Sequence, residues 1–319
     1  MRISKKDMAK AASLLPALVL LKLGIRFGYG KQMSGMFLKR VGTPELQAKA
    51  FGNYQPVEHD VFVATFVKSG TNWMLQTAHQ IAHYGEAEFE HIHDVVPWPD
   101  APMINIIPLS DPGPLKKSPT GLRVIKTHNI AECVPYNEKA KYISVIRDPK
   151  EAFVSSYYFL GGILGILEHV TVSEWFDLFM NDHPDLGRLW AIHTAGFWGW
   201  RERPNVLVMT FNEMKKDPNR AIARVADLMG VSLSEAQFGE ILKKSSFSYM
   251  KQHEHQFTPY QMIFKKPPKN VVMIRKGQSG QSDELITDEQ QTAIDDFCRT
   301  ALQKIGSDFP YDEAFGITR

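Results

Sequence analysis

Four short motifs carry side chains that bind anions, and they are spread through a chain of 319 residues. They are Lys68-Ser69-Gly70-Thr71-Asn72, Lys126-Thr127-His128, Arg147 with Ser155, and Arg275-Lys276-Gly277. Together they offer ammonium, guanidinium, hydroxyl and backbone donors, which bind phosphate-like groups, and one imidazole that can accept a proton. The residue types therefore predict a site for two or more phosphate-like groups with a general base beside it.

The first of these motifs follows a predicted buried strand. Residues 61–67 are apolar apart from one Thr and are rich in β-branched and aromatic side chains, which is typical of a strand buried on both faces. Apolar residues at helical spacing begin at Trp73. A strand, a small polar turn and a helix N-terminus form a phosphate cradle, because backbone N–H groups and the positive end of the helix point at the anion.

The elements that must position the other motifs alternate between strands and helices. Further strands are predicted at 122–126, 141–146 and 205–210, and helices at 73–84, from 149 onward, and at 172–202, 217–250 and 288–305. The polar motifs follow the strands, so we expect one α/β domain with a central parallel sheet flanked by helices, and ligands beyond the carboxyl ends of the strands. Residues 85–120 are rich in Pro and are expected to form a long ordered loop that borders the site.

Composition and motif spacing exclude several other classes. The net charge of +2 gives no sign of a nucleic-acid partner. The two cysteines lie far apart, which disfavours a disulfide or a zinc site, and the pairs in His91-Ile92-His93 and His253-Glu254-His255 have no third local ligand, so no metal is expected. The chain has no Walker motif and no acidic pair among the anion-binding motifs to hold Mg²⁺.

Residues 1–30 are predicted to be a separate N-terminal segment, ahead of a catalytic domain at 31–319. Four basic residues precede an uncharged run at 11–21, which is too short to span a bilayer. Two alternatives remain open for this segment, namely an amphipathic helix on a membrane surface and a helix that covers the core.

The motifs together resemble those of the cytosolic-type sulfotransferases, which transfer a sulfuryl group from 3′-phosphoadenosine 5′-phosphosulfate (PAPS) to a hydroxyl or an amine. The family's Tyr-Pro-Lys-Ser-Gly-Thr-Thr-Trp loop matches residues 66–73, and its Lys-Thr-His element matches 126–128. Its 3′-phosphate motif matches 147–151 with 155–158, and its Arg-Lys-Gly-x-x-Gly tail matches 275–280. Residues 211–218 and 245–250 resemble two further family segments, so six motifs match in order.

The resemblance implies a role for each motif. Lys68 would stabilise the leaving phosphate, His128 would take the proton of the acceptor, and Lys126 would neutralise charge on the transferring group. Trp98 and Phe159, with His128, would contact the acceptor. The residues implied in binding PAPS, or its product 3′-phosphoadenosine 5′-phosphate (PAP), are Lys68, Ser69, Gly70, Thr71, Asn72, Trp73, Arg147, Ser155, Phe211, Ser245, Phe247, Arg275, Lys276 and Gly277.

Departures from the family pattern limit what carries over. Val67 and Asn72 replace a Pro and a Thr, and Gln281-Ser282-Asp283 stands where the family usually continues Asp-Trp-Lys towards its dimer motif, so that dimer contact is not expected. The resulting hypothesis is a cytoplasmic, metal-free, PAPS-dependent sulfotransferase (EC 2.8.2 type) that acts on a hydroxyl or amine of a small, partly apolar acceptor. The alternatives are a nucleotide-dependent kinase of non-Walker type and a catalytically silent protein that binds nucleotide or lipid.

Overall fold

A parallel four-stranded sheet forms the centre of the part of the chain that the computed structural model describes, residues 5–41, 44–180, 186–259, 271–275 and 282–317. The strands are β1 (Asp60–Ala64), β2 (Arg123–Thr127), β3 (Lys141–Ile146) and β4 (Val206–Thr210), in the order β2-β1-β3-β4. Val63 pairs with Lys126 on one side and with Ile143 on the other. The predicted parallel α/β sheet is confirmed, and its carboxyl ends bring the anion-binding motifs to one edge.

Helices surround this sheet. In chain order, the α-helices of the described residues are α1 (Lys5–Arg26), α2 (Gly30–Val41), α3 (Pro44–Lys49), α4 (Thr71–Ala82), α5 (Gly113–Lys117), α6 (Pro149–Leu164), α7 (Val172–Met180), α8 (Leu186–Gly199), α9 (Phe211–Lys216), α10 (Pro218–Met229), α11 (Glu235–Lys244), α12 (Phe247–Gln252), α13 (Asp288–Ile305) and α14 (Tyr311–Phe315).

The two faces of the sheet are buried by different groups of side chains. Val61 and Val63 of β1 pack with α4, α10 and α11, whereas Phe62 and Ala64 pack with Tyr142 and Phe197. Alternate residues of a strand point to opposite faces, so a strand that is apolar at every position must be covered on both sides. This confirms the prediction that β1 is buried on both faces.

Several boundaries differ from the sequence prediction for local reasons. Strand β1 ends at Ala64 rather than at 67, because a turn closes by the backbone hydrogen bond from Ser69 N–H to Phe66 O at 3.2 Å. The helix predicted over 217–250 is three helices, because Gly230 ends α10 in the left-handed region and the hydroxyls of Ser234 and Ser246 cap α11 and α12. The short helix α9 was not predicted, although its capping box was readable in the sequence.

The N-terminal segment is helical and packs on the rest of the chain by one face. Leu14 and Leu21 of α1 are buried, and Leu21 joins the cluster that contains Phe37 of α2. Burying each such leucine contributes roughly 1.5–3 kcal/mol. The opposite face of α1 is exposed and also apolar, so this helix is not amphipathic. No helix among the described residues combines the length and hydropathy needed to cross a bilayer.

Candidate active site

The loop between β1 and α4 has the geometry of an anion cradle. Lys68 and Gly70 both lie in the left-handed region, with φ of 64° and 86°. Gly70 occupies the N-cap of α4, and no side chain caps the helix there. The first N–H groups of a helix have no partner within it, so the uncapped N-terminus of α4 presents backbone donors and a positive dipole end to a ligand.

Gly70 also allows the loop to lie against an aromatic ring. A Cβ at this position would come within 2.7 Å of Cδ2 of Phe211, which is closer than carbon atoms approach. Phe211 in turn lies 5.5 Å from the ring of Trp73, edge to face, and 4.5 Å below the guanidinium of Arg147. The two rings, which pack in the same apolar cluster, provide apolar surface beside the cradle.

Two cations stand next to this loop. The side chain of Arg147 donates to Lys68 O and to the Glu151 carboxylate, both at 2.9 Å, so its guanidinium is fixed from two directions. Lys68 Nζ lies 3.8 Å from the ring centroid of Phe159 and 3.6 Å from Sδ of Met273. Within the described part of the chain no carboxylate lies within 4 Å of Lys68 Nζ. Burial, with the charges of Arg147 and Lys126, lowers the pKa of Lys68 to about 7.

His128 is held as a neutral imidazole with one free nitrogen. Its Nδ1 lies 2.7 Å from the carbonyl oxygen of Thr65, and a carbonyl only accepts, so Nδ1 carries the proton. Nε2 is then left with a lone pair. Burial and the positive charge of Lys126 hold the pKa of His128 well below its usual value, which keeps the ring neutral at physiological pH.

Lys126 lies two residues before His128 on the same face of the end of β2, and the Pro-rich segment encloses it. Its Nζ is 3.4 Å from the ring centroid of Trp98 and 3.5 Å from Nε2 of His93. Burial lowers the pKa of Lys126 to about 7, and the carboxylate of Asp100 opposes this effect. Asp100 also accepts the backbone N–H of His128 at 2.8 Å, so one carboxylate contacts the base and stabilises the charge of the lysine.

One cavity of about 870 Å³ brings most of the predicted residues together. The predicted site residues that line it are Lys68, Gly70, Thr71, Asn72, Trp73, Trp98, Lys126, His128, Arg147, Ser155, Phe159, Phe211, Ser245, Phe247 and Arg275.

One predicted residue, Ser69, does not line the cavity, and two others lie outside the described residues. The side chain of Ser69 is fully buried, and its hydroxyl has no hydrogen-bond partner among the described residues. Lys276 and Gly277 lie outside the described residues.

Two residues that line the cavity, Phe247 and Arg275, have surroundings that differ from those of Lys68 in the interior. Phe247 lines it but is 46% exposed. The guanidinium of Arg275 pairs with Glu284 and lies 5.0 Å from the ring of Tyr158. Arg275 therefore has a carboxylate partner of its own, whereas Lys68 in the interior has none within ion-pair distance among the described residues.

Two further residues that line the cavity were not among the predicted site residues. Asp100 and His193 line the cavity, and the His193 ring is buried and neutral. No local pattern marks either residue, because each reaches the site through packing of a distant segment. The sequence marks His93 only as one member of the pair in His91-Ile92-His93. Among the described residues no group of three or more metal-binding side chains forms, and His93 contacts Lys126 instead.

The chain belongs to the sulfotransferase family. The sequence model of the sulfotransferase domain matches residues 58–306, which include β1 to β4 and the whole cavity edge of the sheet. Membership of this family was the sequence prediction, and it is confirmed; the enzyme is a sulfotransferase.

Relatives with known names extend over most of the chain. Sulfotransferase 1C2 of Rattus norvegicus is 27% identical over 290 residues, which cover 84% of this chain and 93% of that protein. The 3-alpha-hydroxysteroid sulfotransferase of Cavia porcellus is 27% identical over 257 residues, covering 79% of this chain and 87% of that protein. The chain is similar to both along nearly their whole length.

Solved structures share the fold. A retinol dehydratase in complex with retinol and PAP superposes with a TM-score of 0.66 at 21% identity, over 84% of this chain and 88% of that one. Mouse sulfotransferase SULT7A1 in complex with PAP superposes with a TM-score of 0.62 at 22% identity, over 87% of this chain and 94% of that one. These superpositions agree with a single α/β domain around a parallel sheet.

Proposed function

We propose that this enzyme takes its sulfuryl group from PAPS and that the cavity at the carboxyl edge of the sheet is its active site. The main observation behind this proposal is that Lys68 lies beside the uncapped N-terminus of α4. Lys68 has no carboxylate within ion-pair distance among the described residues. An anion between these groups would satisfy the helix donors and restore the charge of Lys68. The two neighbouring structures were determined with PAP, the product of such a donor.

The remaining donor contacts follow from the positions of the side chains. Arg147 and Ser155 line the cavity from the end of β3 and from α6, and they are proposed to hold the 3′-phosphate together with Arg275, Lys276 and Gly277. Trp73 and Phe211 present two aromatic faces, which suit adenine. Thr71 and Asn72 of the first turn of α4, with Ser245 and Phe247 at the opposite wall, complete the proposed donor site.

In the proposed reaction, His128 takes the proton of the acceptor, and Lys68 and Lys126 stabilise negative charge. Nε2 of His128 takes the proton of the acceptor hydroxyl, whose oxygen forms the new bond to sulfur as the bond between sulfur and the phosphate oxygen breaks. Lys68 stabilises the negative charge that develops on the departing phosphate, and Lys126 neutralises charge on the sulfuryl oxygens in between. The products are a sulfate ester and PAP, and His128 releases its proton to solvent afterwards.

The acceptor end of the cavity favours an apolar molecule with a hydroxyl. The lining of the cavity is mainly aromatic and aliphatic, with Phe66, Met103, Ile130, Phe159 and Ile163 among its residues. Trp98 lies edge to face with the His128 ring at 5.2 Å and limits the approach to it. Retinol and a 3-alpha-hydroxysteroid, which the names of two relatives mention, are alcohols of this kind. We therefore propose a hydroxyl on a largely apolar body as the preferred acceptor.

The decisive experiment compares His128→Ala with the wild type in sulfuryl transfer from PAPS to a panel of phenols, sterols and retinoid alcohols. Loss of a general base typically lowers kcat by about 10²–10⁴-fold. The matched control is His59→Ala, because His59 is exposed before β1 and does not line the cavity. Full activity of His128→Ala would show that another group is the base, and phosphoryl transfer from MgATP would favour the kinase alternative.

Peripheral contact of residues 1–30 with a membrane surface is a second part of this proposal. Its support is the exposed apolar face of α1. A form that lacks residues 1–30 is expected to partition away from membranes, and equal partition of both forms would contradict the contact.

A further inference from the structure

The outer face of α1 leaves six large apolar side chains in contact with solvent. These side chains, 47–71% exposed, are Met8, Leu15, Val19, Leu20, Leu23 and Phe27, and they are called the outer face here. Successive members are seven, four, one, three and four residues apart, and this spacing places them along one side of the helix. The other side of α1 buries Leu14 and Leu21. The outer face is therefore a continuous strip and not a set of scattered residues.

A strip of this kind is unusual on a monomer in water. Single exposed apolar residues are common, and this chain has such residues elsewhere, for example Val57, Tyr136 and Ile305. A contiguous apolar strip generally marks a surface that something covers. Six large side chains along about five turns of helix make the outer face the most extended exposed apolar surface among the described residues.

The net charge of the N-terminal segment indicates what covers the outer face. Residues 1–26 contain six basic side chains and one acidic side chain, a net charge of +5, whereas the whole chain carries only +2. Lys22 and Arg26 are exposed and lie beside the outer face. Two copies meeting through this face would place +5 against +5, which is unfavourable. An anionic lipid surface gains instead, by about 1 kcal/mol for each basic residue near it, and also takes up apolar side chains.

The same N-terminal helices build part of the cavity wall. Helix α1 packs on α2, whose Phe37 lines the cavity, and Leu46 and Gln47 of α3 line it as well. Leu46 is 52% exposed, so it stands at the rim. The backbone of Gln47 accepts a hydrogen bond from the side chain of Asn129, the residue after His128, at 2.9 Å. The helix with the outer face thus packs on α2, and α2 and α3 both contribute residues to the cavity wall.

We infer that the outer face of α1 docks on an anionic membrane and that the enzyme draws its acceptor, an apolar alcohol dissolved in that membrane, into the cavity past α2 and α3. The second half of this inference rests on the proposed function. The helix lies along the lipid surface and does not cross it, since no described helix meets the requirements for spanning. Lys22 and Arg26 remain at the headgroups while the leucines enter the boundary with the acyl chains.

The test uses the full chain with a double surface variant, Leu20→Glu with Leu23→Glu. Co-sedimentation is measured with vesicles of phosphatidylcholine alone and of phosphatidylcholine mixed with phosphatidylserine. The wild type is expected to bind the anionic vesicles at low salt and to be released by high salt, and the variant is expected to lose more than about tenfold in partition coefficient. The control is Ile305→Glu, because Ile305 is exposed to the same degree as Leu23, at 47%, on the distant helix α13.

Surface substitutions test membrane docking more specifically than deletion of residues 1–30, because deletion also removes the buried Leu14 and Leu21. Thermal unfolding checks that the variant keeps the stability of the wild type. Transfer to a water-soluble phenol should be unchanged in the variant, whereas transfer to an alcohol embedded in anionic vesicles should fall in parallel with vesicle binding.

Three results would overturn the inference. One is equal vesicle binding by the wild type and the double variant, and another is the absence of binding by the wild type to either vesicle. The third is a wild-type dimer, in sedimentation velocity, that the double variant converts to monomers, because the outer face would then be an interface between copies. Failure of the proposed sulfuryl transfer from PAPS is distinguishable, since it would abolish transfer to both kinds of acceptor and leave vesicle binding intact.

Discussion

At the scale of single residues, Asp100 and Lys126 link the Pro-rich segment to the proposed reaction centre. Asp100 accepts the backbone N–H of His128 and opposes the burial that lowers the pKa of Lys126. Trp98 covers the ammonium of the same lysine at 3.4 Å. This segment therefore does more than border the cavity, because it holds the backbone of His128 and covers the ammonium of Lys126.

Replacing Asp100 by Asn should test that electrostatic role. The amide keeps an oxygen for the backbone N–H of His128 but removes the negative charge, so the pKa of Lys126 is expected to fall further below its value of about 7. In the proposed mechanism Lys126 must be charged during transfer, so activity is expected to fall as the pH rises through the pKa of Lys126. The alkaline limb of the kcat profile should therefore move to lower pH, with kcat at pH 8 reduced about threefold to tenfold and little change at pH 6.

Asp111→Asn is the control for that variant. Asp111 lies in the same Pro-rich segment, accepts the backbone N–H of Gly113 at 2.7 Å, and does not line the cavity. Its pH profile should match the wild type. An Asp100→Asn enzyme with an unshifted alkaline limb would show that Asp100 holds the backbone only.

The lowered pKa of Lys68 predicts proton uptake when an anion binds. With a pKa of about 7, the amine is mostly neutral at pH 8 in the free protein, and a bound phosphate raises this pKa by favouring the charged form. Titration with adenosine 3′,5′-bisphosphate in two buffers of different ionisation enthalpy should show net proton uptake at pH 8 that declines towards pH 6. Lys68→Met should reduce this uptake and Lys139→Met, an exposed lysine outside the cavity, should not. Equal uptake by all three proteins would place the titrating group elsewhere.

At the scale of elements, the turn from β1 into α4 depends on one glycine. Gly70 combines a φ of 86° with an approach to Phe211 that leaves no room for a Cβ. The loop, the ring of Phe211 and the start of α4 are thereby one packed unit. A change in the loop must move either the ring or the helix N-terminus that is proposed to bind the donor.

Gly70→Ala is expected to destabilise the enzyme by about 1–3 kcal/mol and to weaken bisphosphate binding, because a side chain at positive φ is strained and its methyl group overlaps the ring. Urea unfolding gives the first quantity and calorimetry the second. Gly199→Ala is the matched control, since nothing lies within 4 Å of a Cβ there and its φ is not in the left-handed region. Wild-type stability and affinity in Gly70→Ala would show that the loop relaxes without cost.

At the scale of the whole molecule, the distribution of charge matters more than its sum. Lys68, Lys126 and Arg147 meet in one cavity of a chain whose net charge is only +2. Gathering like charges in a partly buried space costs stability, as the lowered pKa values of both lysines indicate. The folded state without a ligand is consequently less stable than the state that holds an anion.

Adenosine 3′,5′-bisphosphate should therefore stabilise the fold more than AMP at the same concentration. A ligand at a hundredfold excess over its Kd adds about 2.7 kcal/mol to the free energy of unfolding. Thermal unfolding with each nucleotide measures the difference, which Arg147→Met should abolish because it removes the proposed contact to the 3′-phosphate. Equal stabilisation by the two nucleotides in the wild type would argue for a site that ignores the 3′-phosphate.

Much of this architecture was already readable in local patterns. Strand β3 and helix α13 have the bounds that the apolar periodicity predicted, because each is set by side chains within the element. The loop at 66–73 was readable for the same reason, since a buried strand, small polar residues and a helix start are consecutive. The apolar periodicity predicts one long helix over 217–250, but Gly230 and Ser246 interrupt it. The turn and cap chemistry of these two residues is also local.

The sequence alone determined the family, the parallel α/β sheet and the residues proposed to bind the donor, because motif order and periodicity are properties of the chain itself. Only the tertiary structure decided which distant groups meet. It placed Asp100 on His128 across 28 residues and Met273 on Lys68 across 205. It also left one side of α1 uncovered. Such contacts depend on how helices and loops pack around the sheet, and no local pattern encodes that packing.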